Sequence, residues 1–174
     1  MPGDTGSDNG WIGQALERYE RPLVRYAQRL TGDPDAARDV VQDTFLRLCR
    51  AERQKVEQGL GPWLYTVCRN RALDLLRREK RVVKLDEEGT AAPVGEGGGP
   101  AEATGRNELR TLVLEALGAL SAQHQEAFRL KFQDDLSYRE IGRVMGVSLG
   151  QVSKLIAVAL AAVRDSLRAR GALA

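Results

Sequence analysis

Apolar residues recur at spacings of three and four along most of the chain, and the pattern breaks once. Leu16, Tyr19, Leu23, Tyr26 and Leu30 make a first stripe. Ala37, Val41, Thr44, Phe45 and Leu48 make a second, and Leu64, Val67, Cys68 and Leu75 a third. This is the period of helices that bury one face. Thr31-Gly32 ends the first helix, with Gly32 suited to a left-handed cap. Asp33-Pro34 opens the second, Asp33 as N-cap and Pro34 in the first helical position. A loop around Gly59-Leu60-Gly61-Pro62 leads into the third helix, from Trp63 to about Arg81. From Gly89 to Pro100 the chain is rich in Gly and Pro and has no period, which is the composition of a flexible linker. Beyond it the helical period resumes with Leu109, Leu112, Val113, Ala116, Leu117 and Leu120, then a helix around Glu126 to Phe132. The pattern predicts an all-α chain of two small helical domains, 11–84 and 106–170, joined by a flexible Gly/Pro linker over 85–105.

The end of the chain adds a sharper motif. Ser137 and Glu140 have capping-box spacing ahead of a short helix that turns Ile141, Val144 and Met145 inward. Gly146 ends that helix and Ser148 caps the next, in which Val152, Leu155, Ile156, Ala159 and Val163 point inward. Gly142 supplies a small residue where two helices can cross closely. An ordinary helical hairpin is one reading. The double capping and the turn length favour a helix-turn-helix.

Charge changes the picture through its placement. The 174 residues carry a net charge of only +2. Yet Pro62 to Lys84 holds Arg69, Arg71, Arg77, Arg78, Lys80, Arg81 and Lys84 against Asp74 and Glu79, a local excess of +5. That cluster suits a polyanion, or equally the C-terminal end of a helix, where cations complement the dipole. On the second helix Asp39, Gln42, Asp43 and Leu46 form a stripe opposite the apolar one. Such a stripe is ordinarily a solvated face; an apolar Leu46 within it also fits a partner surface.

Composition narrows the chemistry. With one histidine and two cysteines, Cys49 and Cys68, neither a disulfide framework nor a four-ligand zinc site can be assembled. His124 has no nucleophile or acid placed to work with it and reads as an exposed helix residue. Gly97-Gly98-Gly99 follows no strand and precedes no lysine-bearing helix, so it is not a phosphate loop. The expectation is a non-enzymatic protein without cofactor or metal. The polar start, with Asp4 and Asp8, is unlike a secretory signal. No apolar run reaches the roughly 18 residues of a membrane span, so membrane insertion is not expected and a cytoplasmic location is the simplest reading.

At Asp35-Ala-Ala-Arg-Asp-Val-Val-Gln-Asp-Thr-Phe-Leu-Arg-Leu48 and Trp63-Leu-Tyr-Thr-Val-Cys-Arg-Asn-Arg-Ala-Leu-Asp-Leu-Leu-Arg-Arg78 the chain resembles region 2 of bacterial sigma factors. Ala116-Leu-Gly-Ala-Leu-Ser-Ala-Gln-His-Gln-Glu-Ala-Phe128, with Leu136-Ser-Tyr-Arg-Glu-Ile-Gly-Arg-Val-Met-Gly-Val-Ser148, resembles region 4. Two such regions with only a linker between them resemble the extracytoplasmic-function group of the sigma-70 family, over roughly residues 11–84 and 106–168. The resemblance implies a factor that binds core RNA polymerase, at its clamp helices and flap, and directs it to promoter DNA. An anti-sigma factor is an optional further partner. Asp39, Gln42, Asp43 and Leu46 match the clamp-binding stripe, carboxylates steering and leucine burying. Trp63, Thr66, Arg69, Asn70, Arg77, Arg78 and Arg81 match the part that reads and opens the −10 element. There Trp63 can stack on an unpaired base, Asn70 can address a base edge and the arginines can hold phosphates. Packing at a helix start is an equal reading for Trp63. The loop from about Glu52 to Gly61 matches the segment that captures a flipped −10 base.

Arg139, Arg143, Ser148, Gln151, Ser153 and Lys154 match the −35 reader. The last helix departs from the family pattern, because Leu155, Val158 and Leu160 stand where arginines are common; Leu120-Ser121 also replaces the usual Leu-Pro. Fewer cations imply weaker, less salt-sensitive −35 binding. Val158 is expected to face outward. This apolar helix also supports a rival reading, a sigma-like decoy that sequesters an anti-sigma factor and hardly binds DNA. The basic stretch from Trp63 to Arg81, which a decoy would not need, speaks against it.

Overall fold

The structure, a computed structural model, describes residues 5–83 and 104–171, and all the elements among them are helical. They are α1 (Thr5–Thr31), α2 (Pro34–Arg50), the short α3 (Arg53–Val56) followed by a 3-10 turn (Glu57–Gly59), α4 (Leu60–Val83), α5 (Thr104–Gly118), α6 (Ala122–Phe132), α7 (Tyr138–Met145) and α8 (Leu149–Ala169). The chain divides into two compact units, 1–95 and 96–174. The Gly/Pro stretch 89–100 lies outside the described residues, as do Asp4 and Lys84.

In the first unit α1, α2 and α4 pack pairwise. Their shared core is Leu23, Tyr26 and Ala27 from α1, Val40, Val41, Phe45 and Leu48 from α2, and Leu64, Tyr65, Cys68 and Ala72 from α4. Tyr26 and Tyr65 meet edge to face at 5.1 Å between ring centres, a favoured aromatic geometry. The predicted junction holds: Gly32 has φ 76°, and the Asp33 carboxylate accepts from the amides of Asp35 and Ala36. Two expectations are corrected, at Leu16 and at Gly59–Pro62. Leu16 is 39% exposed and Ala15 takes its place in the core, because Ala15 keeps the four-residue step to Tyr19 and Leu23 while Leu16 lies a hundred degrees further round. α1 also runs through Pro22, carried by buried residues on both sides of the lost amide donor. The expected loop at Gly59–Pro62 is largely helical: Pro62 lies in the first turn of α4, where a missing N–H has no partner to lose.

One buried polar group joins two of these helices. Thr44 is fully buried and its hydroxyl donates to the Val40 carbonyl at 2.8 Å. The Cys68 thiol bonds to Thr44, but burial outweighs that bond and pushes it up to about 12. The thiol stays protonated and inert, whereas Cys49 is exposed. A maleimide at pH 8 is expected to label Cys49 in the native protein and Cys68 only after unfolding, as peptide mapping would report.

In the second unit α8 packs against α5, α6 and α7. Every inward residue expected for α8 is buried, together with Leu117, Ala127, Leu130, Leu136, Ile141, Val144 and Met145. Leu109, expected in the α5 stripe, is instead 45% exposed at the far end of that helix from Leu117. α6 starts at Ala122, four residues earlier than the periodicity suggests. His124 lies in its first turn, half-buried, with Nδ1 2.7 Å from the Ser121 hydroxyl, so it is tied to the helix start and not simply exposed.

The helix-turn-helix is built as its caps require. The Ser137 amide donates to the Glu140 carboxylate at 2.7 Å and the Glu140 amide donates back to the Ser137 hydroxyl at 3.3 Å. Gly146 has φ 68°, and the Val147 amide closes the turn on the Gly142 carbonyl at 3.0 Å. The Ser148 hydroxyl accepts from the Gln151 amide at 3.2 Å and starts α8. The axes of α7 and α8 differ by 103°, the angle range of DNA-binding helix pairs. No single helix among the described residues is long and apolar enough to cross a membrane.

Candidate nucleic-acid interface and docking face

The outer face of α2 exists because its inner face is so thoroughly apolar. With Ala37, Val40, Val41, Thr44, Phe45 and Leu48 buried, Asp39, Gln42 and Leu46 are turned out, and Leu46 is 49% exposed. Asp43 differs from expectation. It is half-buried, and its carboxylate is paired with the Arg71 guanidinium of α4. Asp43 therefore helps join α2 to α4 instead of standing free with Asp39. Arg71 has its Nε buried without a hydrogen-bond partner, so the Asp43 carboxylate is what compensates its charge there.

α4 sorts its polar residues along its length. Trp63 is half-buried at the helix start, between the two readings its sequence position allowed. Thr66 is half-buried and its hydroxyl donates to the Pro62 carbonyl at 2.8 Å, which leaves only its lone pairs for a ligand. Arg69 is half-buried and already partnered within the molecule. Asn70, Arg77, Arg78 and Arg81 are exposed, with Arg77 3.3 Å from Asp74. Asn70, Asp74, Arg77 and Arg81 follow helical spacing and share one solvent-facing stripe. The expected set thus splits into an outward group suited to phosphates and base edges, and an inward group, Thr66 and Arg69, engaged with the protein.

The segment before α4 is held at several points. Lys55 pairs with Glu52 at 2.7 Å and Arg53 with Glu57 at 3.0 Å, while Val56 is buried. The Arg53 guanidinium also lies over the Trp11 ring of α1, 5.5 Å from its centre. Sequence reasoning gave no role to Trp11, because a contact between residues so far apart follows from packing and leaves no local signal.

On the second unit Arg139, Arg143, Ser148, Gln151, Ser153 and Lys154 are all exposed. The Ser148 oxygen is already used as a cap, so its hydroxyl proton is what remains for a ligand. Gln151, Lys154 and Val158 lie at i, i+3 and i+7 on one outward face, with Val158 46% exposed. Of the apolar residues at positions where arginines were expected, Leu155 is buried, while Val158 and Leu160 are exposed. Among the described residues no three His, Cys, Asp or Glu side chains come together as a metal-binding group.

Comparison with known proteins fits this division. Residues 15–82 match the family Sigma-70 region 2, and residues 116–165 match Sigma-70, region 4. The ECF RNA polymerase sigma factor SigL of Mycobacterium tuberculosis is 34% identical, over 89% of this chain and 88% of its own. The ferric citrate uptake sigma factor FecI of Escherichia coli is 32% identical, over 89% and 83%. Among solved structures, the sigma factor RpoE of Bartonella quintana, crystallised with the anti-sigma factor NepR, superposes with a TM-score of 0.69. It is 25% identical, with 90% of this chain and 96% of that chain covered.

Proposed function

Because the chain belongs to the sigma-70 family, as an ECF-type RNA polymerase sigma factor, we propose that its two units divide the work of promoter recognition. The protein binds core RNA polymerase and directs promoter-dependent initiation. In our reading residues 11–84 dock on the clamp helices and read the −10 element, residues 106–170 read the −35 element and meet the flap, and 85–105 connect them. Asp39, Gln42 and Leu46 form the clamp contact, with Asp43 at its edge. Asn70, Arg77, Arg78 and Arg81 take the −10 DNA, with Trp63 stacking on an opened base. Arg139 and Arg143 hold backbone phosphates, while Gln151, Ser153 and Lys154 face the groove. The contribution is binding and not catalysis, and it is made in the cytoplasm, where polymerase and promoter meet. An anti-sigma factor is a further partner, in keeping with the NepR complex of the related RpoE.

One observation carries the reading. A region 2 match on a unit with the outward Asp39, Gln42 and Leu46 face and a basic α4 is followed, in order, by a region 4 match on a fully capped helix-turn-helix. The decoy reading rested on the apolar α8, and much of that apolar character is core: Val152, Leu155, Ile156, Ala159 and Val163 are all buried. Transcription reconstituted with core polymerase on a promoter library tests the assignment. Start sites at a fixed distance from a common pair of elements are expected. Capture of an anti-sigma factor without any initiation would return the decoy.

The charge placement adds a quantitative expectation. α8 carries only Lys154 in its first three turns, whereas exposed arginines crowd the end of α4. Each phosphate contact contributes about 0.9 to the slope of log K against log salt on duplex DNA. Removing Arg77 and Arg78 together is expected to flatten that slope for the holoenzyme by about two units, and Lys154→Ala by about one at most. Equal effects would overturn the asymmetry. Val158→Arg, on the same outward face as Lys154, is expected to tighten −35 binding.

A further inference from the structure

The segment from Glu52 to Gly59 connects two core helices, and a polar run of this length has little intrinsic tendency to hold one shape. Here it is fixed from both sides. Its own ion pairs, Glu52 to Lys55 and Arg53 to Glu57, close one helical turn. Val56 anchors that turn in the core. A further contact comes from outside the segment: Trp11, near the start of α1, lies under the Arg53 guanidinium at a distance suited to a cation–π interaction. Gln54 and Gln58 are left exposed on the same turn, free to meet a ligand.

From this arrangement we infer that Trp11, Arg53 and Glu57 form a latch that presets the Glu52–Gly59 turn for capture of an unpaired promoter base, with Trp11 and Glu57 acting through Arg53 as positioning residues. The inference rests on the reading of this segment as part of the −10 reader. The physical reason is preorganisation. A turn held in its binding shape before DNA arrives loses less conformational freedom on binding, so the latch raises affinity without touching the base. Arg53 is suited to the task because one planar group can lie on the indole and still give its Nε–H to Glu57. The latch also makes the start of α1, remote in sequence, a determinant of promoter opening.

The test uses holoenzyme reconstituted from the full chain, and the promoter that initiates best in the library. Its −10 region is offered as single-stranded non-template DNA, with a −35 duplex as control. Trp11→Leu is expected to weaken single-strand binding about three- to fivefold, the range one cation–π contact supports. It is expected to leave core affinity and −35 duplex binding unchanged. Trp11→Phe is expected to recover most of the loss, because it restores an aromatic face. Should Trp11→Leu fold poorly, Arg53→Met keeps the aliphatic stem and removes the guanidinium, and is expected to give the same selective loss. Gln54→Ala with Gln58→Ala tests the segment itself. If this pair weakens single-strand binding while neither Trp11→Leu nor Arg53→Met does, the latch is wrong and the −10 reading stands. If the glutamines have no effect either, the −10 reading of the segment fails and the latch with it. A loss of equal size in core or −35 binding would mark Trp11 as a packing residue only and overturn the inference.

Discussion

Gly142→Val is expected to abolish −35 binding and to lower the stability of the second unit by about 3 kcal/mol, the upper range for overpacking against an immovable neighbour. A Cβ at this position would lie 2.9 Å from the Val147 carbonyl oxygen. That oxygen is backbone, and it sits in a turn closed by the Val147 amide on Gly142 itself. It therefore cannot swing aside as a side-chain tip would. Gly142→Ala meets the same oxygen with less bulk and is expected to cost about 1–2 kcal/mol. Both tryptophans, Trp11 and Trp63, lie in the first unit. Thermal unfolding followed by tryptophan fluorescence then reports that unit, while circular dichroism reports both. Gly142→Val is expected to lower part of the dichroism transition and leave the fluorescence transition in place. Unchanged −35 binding by this variant would mean that α7 and α8 need not cross this closely to read DNA.

What could be read in the sequence follows how local each cause is. The caps are legible because Ser137 with Glu140, Gly146, Ser148, and Gly32 with Asp33 act within four residues of themselves. The α8 stripe is legible because five apolar positions repeat over three turns and fit only one face. Leu16 fits a helical period yet stays exposed because Ala15 keeps the four-residue step to Tyr19 and Leu23, and Leu109 extends the α5 stripe toward the helix start yet is exposed as well. Pro62 misled in the other direction: a proline marks a boundary, but it sits inside the first turn as readily as before it. The candidate interfaces divide in the same way. That Arg77, Arg78, Arg81, Gln151 and Lys154 face solvent follows from helical spacing. That the Thr66 hydroxyl turns back on the Pro62 carbonyl is a contact within one helical turn, whereas that Trp11 reaches Arg53 depends on how α1 meets a segment remote in sequence, which no local pattern encodes.

Asp43 is the sharpest instance of that limit, and its substitution separates a fold contact from a docking contact. From α2 alone, Asp43 shares a stripe with Asp39, and Asp43→Arg would be expected to alter polymerase binding with no effect on folding. The pairing with Arg71, 28 residues away on α4, predicts otherwise. The two side chains are 41% and 27% exposed, so they are neither a solvated surface pair worth almost nothing nor a dry one. Asp43→Arg sets two guanidiniums against each other at a helix–helix contact and strips a half-buried cation of its counter-charge. A loss of about 2 kcal/mol in the fluorescence-monitored transition is expected. Asp43→Asn, which keeps the shape and a hydrogen-bond acceptor, is expected to cost about half of that. Leu46→Arg, on the exposed side of the same helix, is expected to leave stability unchanged while weakening core polymerase binding. The exchange of Asp43→Arg with Arg71→Asp decides between the two causes. If the contact matters for the fold, the exchange recovers stability beyond the sum of the single changes, and the surplus measures the pairing. If Asp43 acts only through the polymerase, the single Asp43→Arg variant unfolds like the parent protein, and the exchange restores nothing that was lost.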